Sequence, residues 1–478
     1  MLLIFLLFTL LGGILLLIFI PSNKNLFLKQ TAFSTSSLAF VISLLIWVGF
    51  DQSTSKFQYI ININWLSIAN VNLTLGVDGI SLFFVIFTTL IFSICLVASW
   101  FSIQKNLKIF LLSFLIMELI IILIFTSLDL IFFYIFFETI LIPMFLVIGI
   151  WGSRERKIRA AYLFFFYTFT GSLLMLIAIV YIYHFVGTTN YEVLSTIHFS
   201  EYSQKWLWLA FFASFAIKVP MLPFHIWLPE AHVEAPTAGS VILAGLLLKL
   251  GFYGFVRFSL GLLPMASIYF TPFIFSLSIL GIIYTSLTAI RQTDLKRLIA
   301  YTSVAHMNLI VIGLFTNTII GVESALLQGL SHGFVSSALF LIIGVLYDRW
   351  HSRVIKYYSG LVHIMPIFIS IFFFFTLANL GLPGTSNFVG EFLLLISIFD
   401  INSTTCFFAA FSMILGGAYS LWLFNRVAYG NIKLISLDIN LREFIFFLPL
   451  IFGTLIMGIY PNIFLKLMHA SISNLVVS

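Results

Sequence analysis

Fourteen apolar stretches of 18 residues or more run through this 478-residue chain, with little polar sequence between them. They cover 2–20, 32–50, 78–101, 109–127, 130–151, 161–187, 206–228, 239–260, 268–290, 298–315, 322–347, 363–399, 404–425 and 443–464. A hydrocarbon core about 30 Å thick is crossed by roughly 20 helical residues. The pattern therefore calls for an all-α, polytopic membrane protein with about fourteen transmembrane helices. Only 8% of the residues are charged, against about 25% in an average soluble domain, so lipid must solvate most of the exterior. The longest gap, 51–77, reads as a loop.

Lys and Arg orient the spans. Seventeen of them, from Lys24 to Arg442, fall on one set of alternate loops. Lys56, Lys205, Arg257 and Lys466 fall on the other, and Lys218 and Lys249 lie inside spans. The positive-inside rule puts the seventeen on the side where the chain is made, and both termini opposite. Spread so thinly, the net charge of +6 makes no basic face for nucleic acid. Met1–Ile20 has no basic leader, so insertion from the synthesising compartment is expected. The Phe-, Ile- and Asn-rich composition fits an A/T-rich organelle genome.

Cys95 and Cys406 are the two cysteines. An iron–sulfur cluster takes about four thiolates, and zinc takes a comparable ligand set. The sequence also has no dinucleotide or Walker fingerprint. No cofactor is expected on this chain, and any redox chemistry belongs to other chains.

Two spans carry internal breaks. The seventh contains Pro220, Pro223 and Pro229; the twelfth, 363–399, is too long for one straight crossing and contains Gly-Leu-Pro-Gly at 381–384. Such breaks persist in a membrane only where protein or water satisfies the freed backbone. They lie five helices apart, the pattern of an inverted-repeat transporter with helices 4–8 and 9–13 as units. The expected organisation is 1–108 (three helices), 109–260 (first five-helix repeat), 261–426 (second repeat) and 427–478 (a C-terminal helix).

The spans also hold ionisable residues. Glu138, Lys218, Lys249, His306 and His332 fall at nearly one depth, and Glu391 lies beyond Pro383. A charge at the bilayer centre costs roughly 2.5–3.5 kcal/mol on insertion scales, so such groups must pair or line water. A buried Glu–Lys pair that can open changes its proton occupancy with its neighbours, which is what a proton relay requires. Against this, a buried Lys can clamp a backbone carbonyl, and a buried His can bond across helices. Glu118 and Asp129 divide evenly between relay and structural roles. His225, Glu230, His232 and Glu234 match no standard metal-ligand spacing and read better as a wet proton funnel below Lys218.

Three longer motifs carry a family resemblance. They are Leu-Gly-Val-Asp-Gly-Ile-Ser-Leu-Phe-Phe at 75–84, the run from Lys218 through Trp227-Leu228-Pro229-Glu230-Ala231-His232 to Gly251, and Arg-Gln-Thr-Asp-Leu-Lys-Arg at 291–297 with its continuation to Asn308. With these motifs the chain, over essentially its whole length, resembles the subunit 4 family of mitochondrial NADH dehydrogenase, respiratory complex I. The resemblance implies an antiporter-like, proton-translocating subunit of the mitochondrial inner membrane with its basic loops in the matrix. It implies a path from Lys218 and Glu138 through Lys249, His306 and His332 to Glu391. FMN, iron–sulfur clusters and ubiquinone are then expected on partner subunits, with antiporter-like subunits 2 and 5 as neighbours and lipids such as cardiolipin around them. A subunit of a multi-subunit cation/proton antiporter is the alternative, and a passive scaffold is a second.

Overall fold

Apolar side chains cannot hold unpaired backbone amides in lipid, so the chain pairs them within helices. The computed structural model describes residues 1–66, 70–433 and 435–477. Twelve helices there are long and apolar enough to cross a membrane: Leu2–Phe19, Asn25–Val48, Gly79–Ala98, Leu107–Thr126, Leu130–Trp151, Lys157–Val186, Thr237–Leu260, Pro264–Ile290, Leu295–Leu314, Ile319–Trp350, Ser403–Ala428 and Leu441–Ile459. Two further crossings are broken. The seventh runs as Glu201–Lys218, a short turn at Phe224–Ile226 and Trp227–Glu234; the twelfth runs as Pro366–Leu380 and Ser386–Ile401. Together these give the fourteen expected crossings, with both breaks at the proline sites.

The helices differ in how much lipid they meet. Leu2–Phe19 turns Phe5, Phe8 and Leu15 outward, whereas Ile319–Trp350 is almost wholly enclosed. Enclosure follows composition, because Ile319–Trp350 is rich in Gly and Ser, small residues that let helices approach closely.

The chain divides into two compact units. The first comprises Met1–Lys218, Lys249–Phe270 and Lys466–Ser478; the second comprises Val219–Leu248 and Thr271–Leu465. Within the first, residues 51–77 are not simply a loop. Strands Gln58–Leu66 and Val71–Val77 pair antiparallel, and the second is mostly buried. The alternation Ile61-Asn62-Ile63-Asn64 has the period 2 of a strand, although this first strand is mostly exposed, Ile63 included. Thr74 holds the hairpin down, its carbonyl accepting from Leu128 N–H at 2.9 Å. A second helix, Asn462–Val477, follows the last crossing, with Pro461 separating the two. It seats on Gly79, whose N–H donates to Ser471 Oγ at 3.1 Å. A Cβ at Gly79 would lie 2.1 Å from the Leu467 carbonyl oxygen, so only glycine fits.

One local arrangement occurs once in each unit. Asp129 caps the fifth span, accepting from the N–H groups of Ile131 and Phe132. It also pairs as an isolated bridge with Asn190, after the sixth span. Asp294 caps the tenth span through Lys296 and Arg297 N–H and bridges to Val354, after the eleventh. The N–H of the next residue follows suit: Leu130 donates to Thr189 at 3.0 Å and Leu295 to Arg353 at 2.9 Å.

Candidate proton-relay groups

Helix 7 ends at Lys218 because Pro220 follows two residues later and cannot donate to the next turn. A cation at a helix C-terminus meets the negative end of the dipole. Lys218 is buried, 4% exposed, and its Nζ donates to the Phe137 carbonyl at 2.8 Å. The ammonium also lies over the Phe137 ring. Lys218 and Glu138, expected within about 4 Å or a single water of each other, make no direct ion pair: among the described residues none within 4 Å involves Glu138. The lysine instead takes the backbone oxygen of the preceding residue. Glu138 is half-buried, and its Oε1 makes no hydrogen bond among the described residues. The helix beneath it is interrupted between Leu130–Thr139 and Leu141–Trp151. Pro143 explains the fault, since it cannot donate to the carbonyl of Thr139.

Lys249 lies in the eighth span, 1% exposed. A π-helical stretch, Leu243–Leu247, ends just before it, and another, Phe255–Leu260, follows. Such wide turns concentrate at functional sites. Glu118 is fully buried in the fourth span and accepts from Ser36 Oγ at 3.2 Å.

In the second unit three expected residues come together. His306 Nδ1 lies 3.2 Å from Glu391 Oε1, and the His306 and His332 rings are 5.7 Å apart. Gln328 Nε2 donates to the same Glu391 oxygen at 3.2 Å. The carboxylate reaches back into the helix-12 break, where Gly381 has φ +81 and a Cβ would lie 3.0 Å from Glu391 Oε2. Ser331 Oγ donates to Ser386 Oγ at 2.7 Å and contacts Asn387 Oδ1. Sequence reasoning missed Gln328, Ser331 and Asn387. The signal was available: Gln328, Ser331 and His332 stand at helical i, i+3 and i+4 spacing within an apolar span.

The four residues below Lys218 disperse to separate partners. Glu230 pairs with Arg297 at 2.6 Å, and His232 stacks on Phe340, centroids 4.6 Å apart. Glu234 faces Arg353 at 3.9 Å, while His225 packs edge-on against Tyr284. Among the described residues no group of three His, Cys, Asp or Glu is placed to hold a metal. One buried ion pair went unassigned in the sequence: Arg257 with Asp78 of the 75–84 motif.

Comparison with known proteins now bears on these groups. The family profile described as NADH:quinone oxidoreductase/Mrp antiporter, transmembrane, matches residues 127–416. The NADH-ubiquinone oxidoreductase chain 4 of Marchantia polymorpha is 56% identical over 471 residues, covering 98% of this chain and 95% of that one. Its counterpart in Arabidopsis thaliana is 56% identical, covering 97% and 94%. Among solved structures, a chain of respiratory complex I from Thermus thermophilus with bound NADH superposes with a TM-score of 0.91. Its identity is 28% and coverage is 100% of both chains. A chain of the Mrp complex from Dietzia sp. DQ12-45-1b has a TM-score of 0.85 at 18% identity, covering 99% of this chain and 55% of that one, which is likeness of fold.

Proposed function

The chain belongs to the NADH:quinone oxidoreductase/Mrp antiporter transmembrane family, and from that membership we infer that it is a proton-translocating, antiporter-like subunit of respiratory complex I. It is a multi-pass protein of the mitochondrial inner membrane and works with other complex I subunits, as a core part of NADH:ubiquinone reductase. Electron transfer falls to those partners, with FMN, iron–sulfur clusters and ubiquinone on them. Antiporter-like subunits 2 and 5 are the neighbours this reading assigns, with cardiolipin among the surrounding lipids.

The observation that carries the reading is that four ionisable groups inside apolar helices each stand next to a backbone irregularity. Lys218 sits at the helix-7 break, Glu138 at the Pro143 fault, Lys249 between two π turns and Glu391 against Gly381. Broken helices expose backbone groups that water and charged side chains satisfy, and intramembrane ionisable residues mark proton pathways. We assign Glu138, Lys218 and Lys249 to the relay of the first unit, and His306, His332 and Glu391 to that of the second. Glu118, His225, Glu230 and His232 belong to uptake or to its supports. Lys218 has two acceptors within one residue of each other, the Phe137 carbonyl it holds and the Glu138 carboxylate beside it. Exchange between them makes proton occupancy a function of position. The five-helix repeats, 109–260 and 261–426, are part of the same reading, supported by the twin Asp129 and Asp294 caps.

The test is Lys249→Ala in the assembled complex, reconstituted into vesicles, with NADH oxidation and proton uptake measured together. Coupled proton uptake should fall while the complex retains its redox cofactors. Undiminished pumping would favour a passive scaffold, and sodium transport by the assembly would favour the cation/proton antiporter alternative.

A further inference from the structure

Asp78 and Arg257 lie outside the relay assigned above, yet they form a buried charge pair in the same unit. Arg257 stands on helix 8, with Lys249, Tyr253 and Arg257 at successive four-residue steps. Residues so spaced share a helix face, and two turns span about 12 Å. The charge pattern of the loops puts the Arg257 end of the helix on the side away from the matrix. The stripe thus leads from the membrane-embedded Lys249 toward the intermembrane surface. Beside the pair opens a cavity of about 600 Å³, lined by Ser55, Lys56, Tyr191, Glu192, Asp78 and Arg257 among others. It is roomy enough for water, and Ser55, Lys56, Asp78, Glu192 and Arg257 supply the polar partners that water needs. A relay lysine two turns below it is exposed to a short circuit.

The pair's chemistry closes that route. Arg257 and Asp78 are 6% and 2% exposed, and NH2 of Arg257 contacts Asp78 Oδ1. Asp78 Oδ1 also accepts from Ser81 N–H at 3.0 Å. Arg257 Nε donates to Tyr253 Oη at 3.0 Å, and Tyr253 Oη donates to the Phe125 carbonyl at 2.9 Å. This chain of donors ends on a backbone carbonyl, which has no proton to pass on. Guanidinium has five donors, no acceptor and no accessible neutral form, so it neither takes nor releases a proton. Phe57, Tyr253 and Tyr191 surround it, centroids 5.0, 5.3 and 5.8 Å from Cζ. Fixed arginines exclude protons from water channels in the same manner.

We propose that the Arg257–Asp78 pair, with Tyr253, is a proton-exclusion plug that seals the first unit's relay from the cavity on the intermembrane side. Arg257 is a selectivity-determining residue rather than a carrier. Removing it alone frees the Asp78 carboxylate to accept a proton from cavity water and release it inward, so a leak opens. Replacing both members removes the plug and the carrier together.

The experiment measures passive leak in vesicles containing the purified whole complex, without NADH, under a potassium diffusion potential. NADH:quinone turnover serves as the assembly check. Arg257→Met should raise proton leak on the order of 10-fold, with turnover retained. The double variant Arg257→Met with Asp78→Leu should return leak to near the wild-type level, because the carboxylate that would carry the proton is gone. Apolar replacement of a buried pair is commonly tolerated, so the double variant is expected to assemble. If Arg257→Met does not assemble, Arg257→Gln carries the same expectation, since it keeps a donor but leaves the carboxylate free to protonate. Wild-type leak in the assembled single variant overturns the proposal. So does a double variant that leaks as much as the single, which is what a packing role predicts. The plug rests on Lys249 being a relay group, and the arms separate the two ideas. Passive leak tests the plug, whereas NADH-driven uptake in Lys249→Ala tests the relay.

Discussion

Glu391→Gln puts the second unit's relay to a quantitative test. Its Oε1 lies 3.2 Å from His306 Nδ1. At an effective dielectric of about 20, a charged carboxylate and a protonated imidazole at that distance attract by about 5 kcal/mol. Glutamine has the same shape and can still accept from Gln328 Nε2, so packing and the Gly381 contact survive. What is lost is the negative charge that faces the His306 ring, and the carboxylate's capacity to carry a proton. If relaxation and desolvation halve the electrostatic effect, about 2.5 kcal/mol remains, close to two decades in a proton-transfer rate. Proton uptake in vesicles, scored per NADH oxidised, should therefore collapse in Glu391→Gln. It should recover partly in Glu391→Asp, where charge persists one methylene short. Full coupled turnover in an assembled Glu391→Gln complex would refute the reasoning, since the carboxylate would then be a structural acceptor for Gln328.

Three further outcomes follow from the geometry. Lys218→Ala removes the donor to the Phe137 carbonyl and the charge beside Glu138, so coupled uptake should drop at least about 10-fold, the scale of one 1.4 kcal/mol interaction, while cofactor spectra of the complex stay unchanged. Gly79→Ala drives a Cβ to 2.1 Å from the Leu467 carbonyl oxygen; overpacking of this kind costs about 1–3 kcal/mol, and limited proteolysis should release the C-terminal helix more readily. Asp51 is fully exposed, and the Ser53 N–H and hydroxyl hold its carboxyl below the usual carboxylate range. A lowered folded value stabilises above the unfolded one and is lost as pH falls through the folded one. Asp51→Asn should therefore leave thermal stability unchanged in sign and rank between pH 5 and 8, with any difference from wild type varying only below about pH 4.

The crossings were legible because lipid imposes one rule on every residue of a span. The two breaks were legible because Pro220 and Pro223, and Pro383 with Gly381 and Gly384, interrupt the helical hydrogen-bond ladder. Contacts that depend on the backbone of a second helix were not. Lys218 was expected near a carboxylate; the oxygen it reaches belongs to the backbone of a second helix, and spacing within helix 7 does not contain that information. The strand Gln58–Leu66 was present in its Ile-Asn alternation, but its outward side is exposed, with Trp65 55% accessible, so no buried face marked it as more than loop. Gln328 and Asn387 are neutral, and a search for charges in apolar spans passes over them.

The proposed five-helix repeat draws its support from one local arrangement that the sequence barely shows. Thr-Ser-Leu-Asp-Leu at 126–130 and Arg-Gln-Thr-Asp-Leu at 291–295 share only Asp-Leu, too little to align two halves. The physics preserves more than the letters do. Each Asp must cap a helix whose first N–H groups have no intrahelical partner, and each next N–H must find a carbonyl in the loop that follows the neighbouring span. Those two demands recur at Asp129 with Thr189 and at Asp294 with Arg353. The proposed repeat sets span 5 against span 10 and span 6 against span 11. Loss of either cap should then cost a similar amount, about 1 kcal/mol, in Asp129→Ala and Asp294→Ala alike. Sharply unequal losses in thermal stability would count against treating the two sites as counterparts.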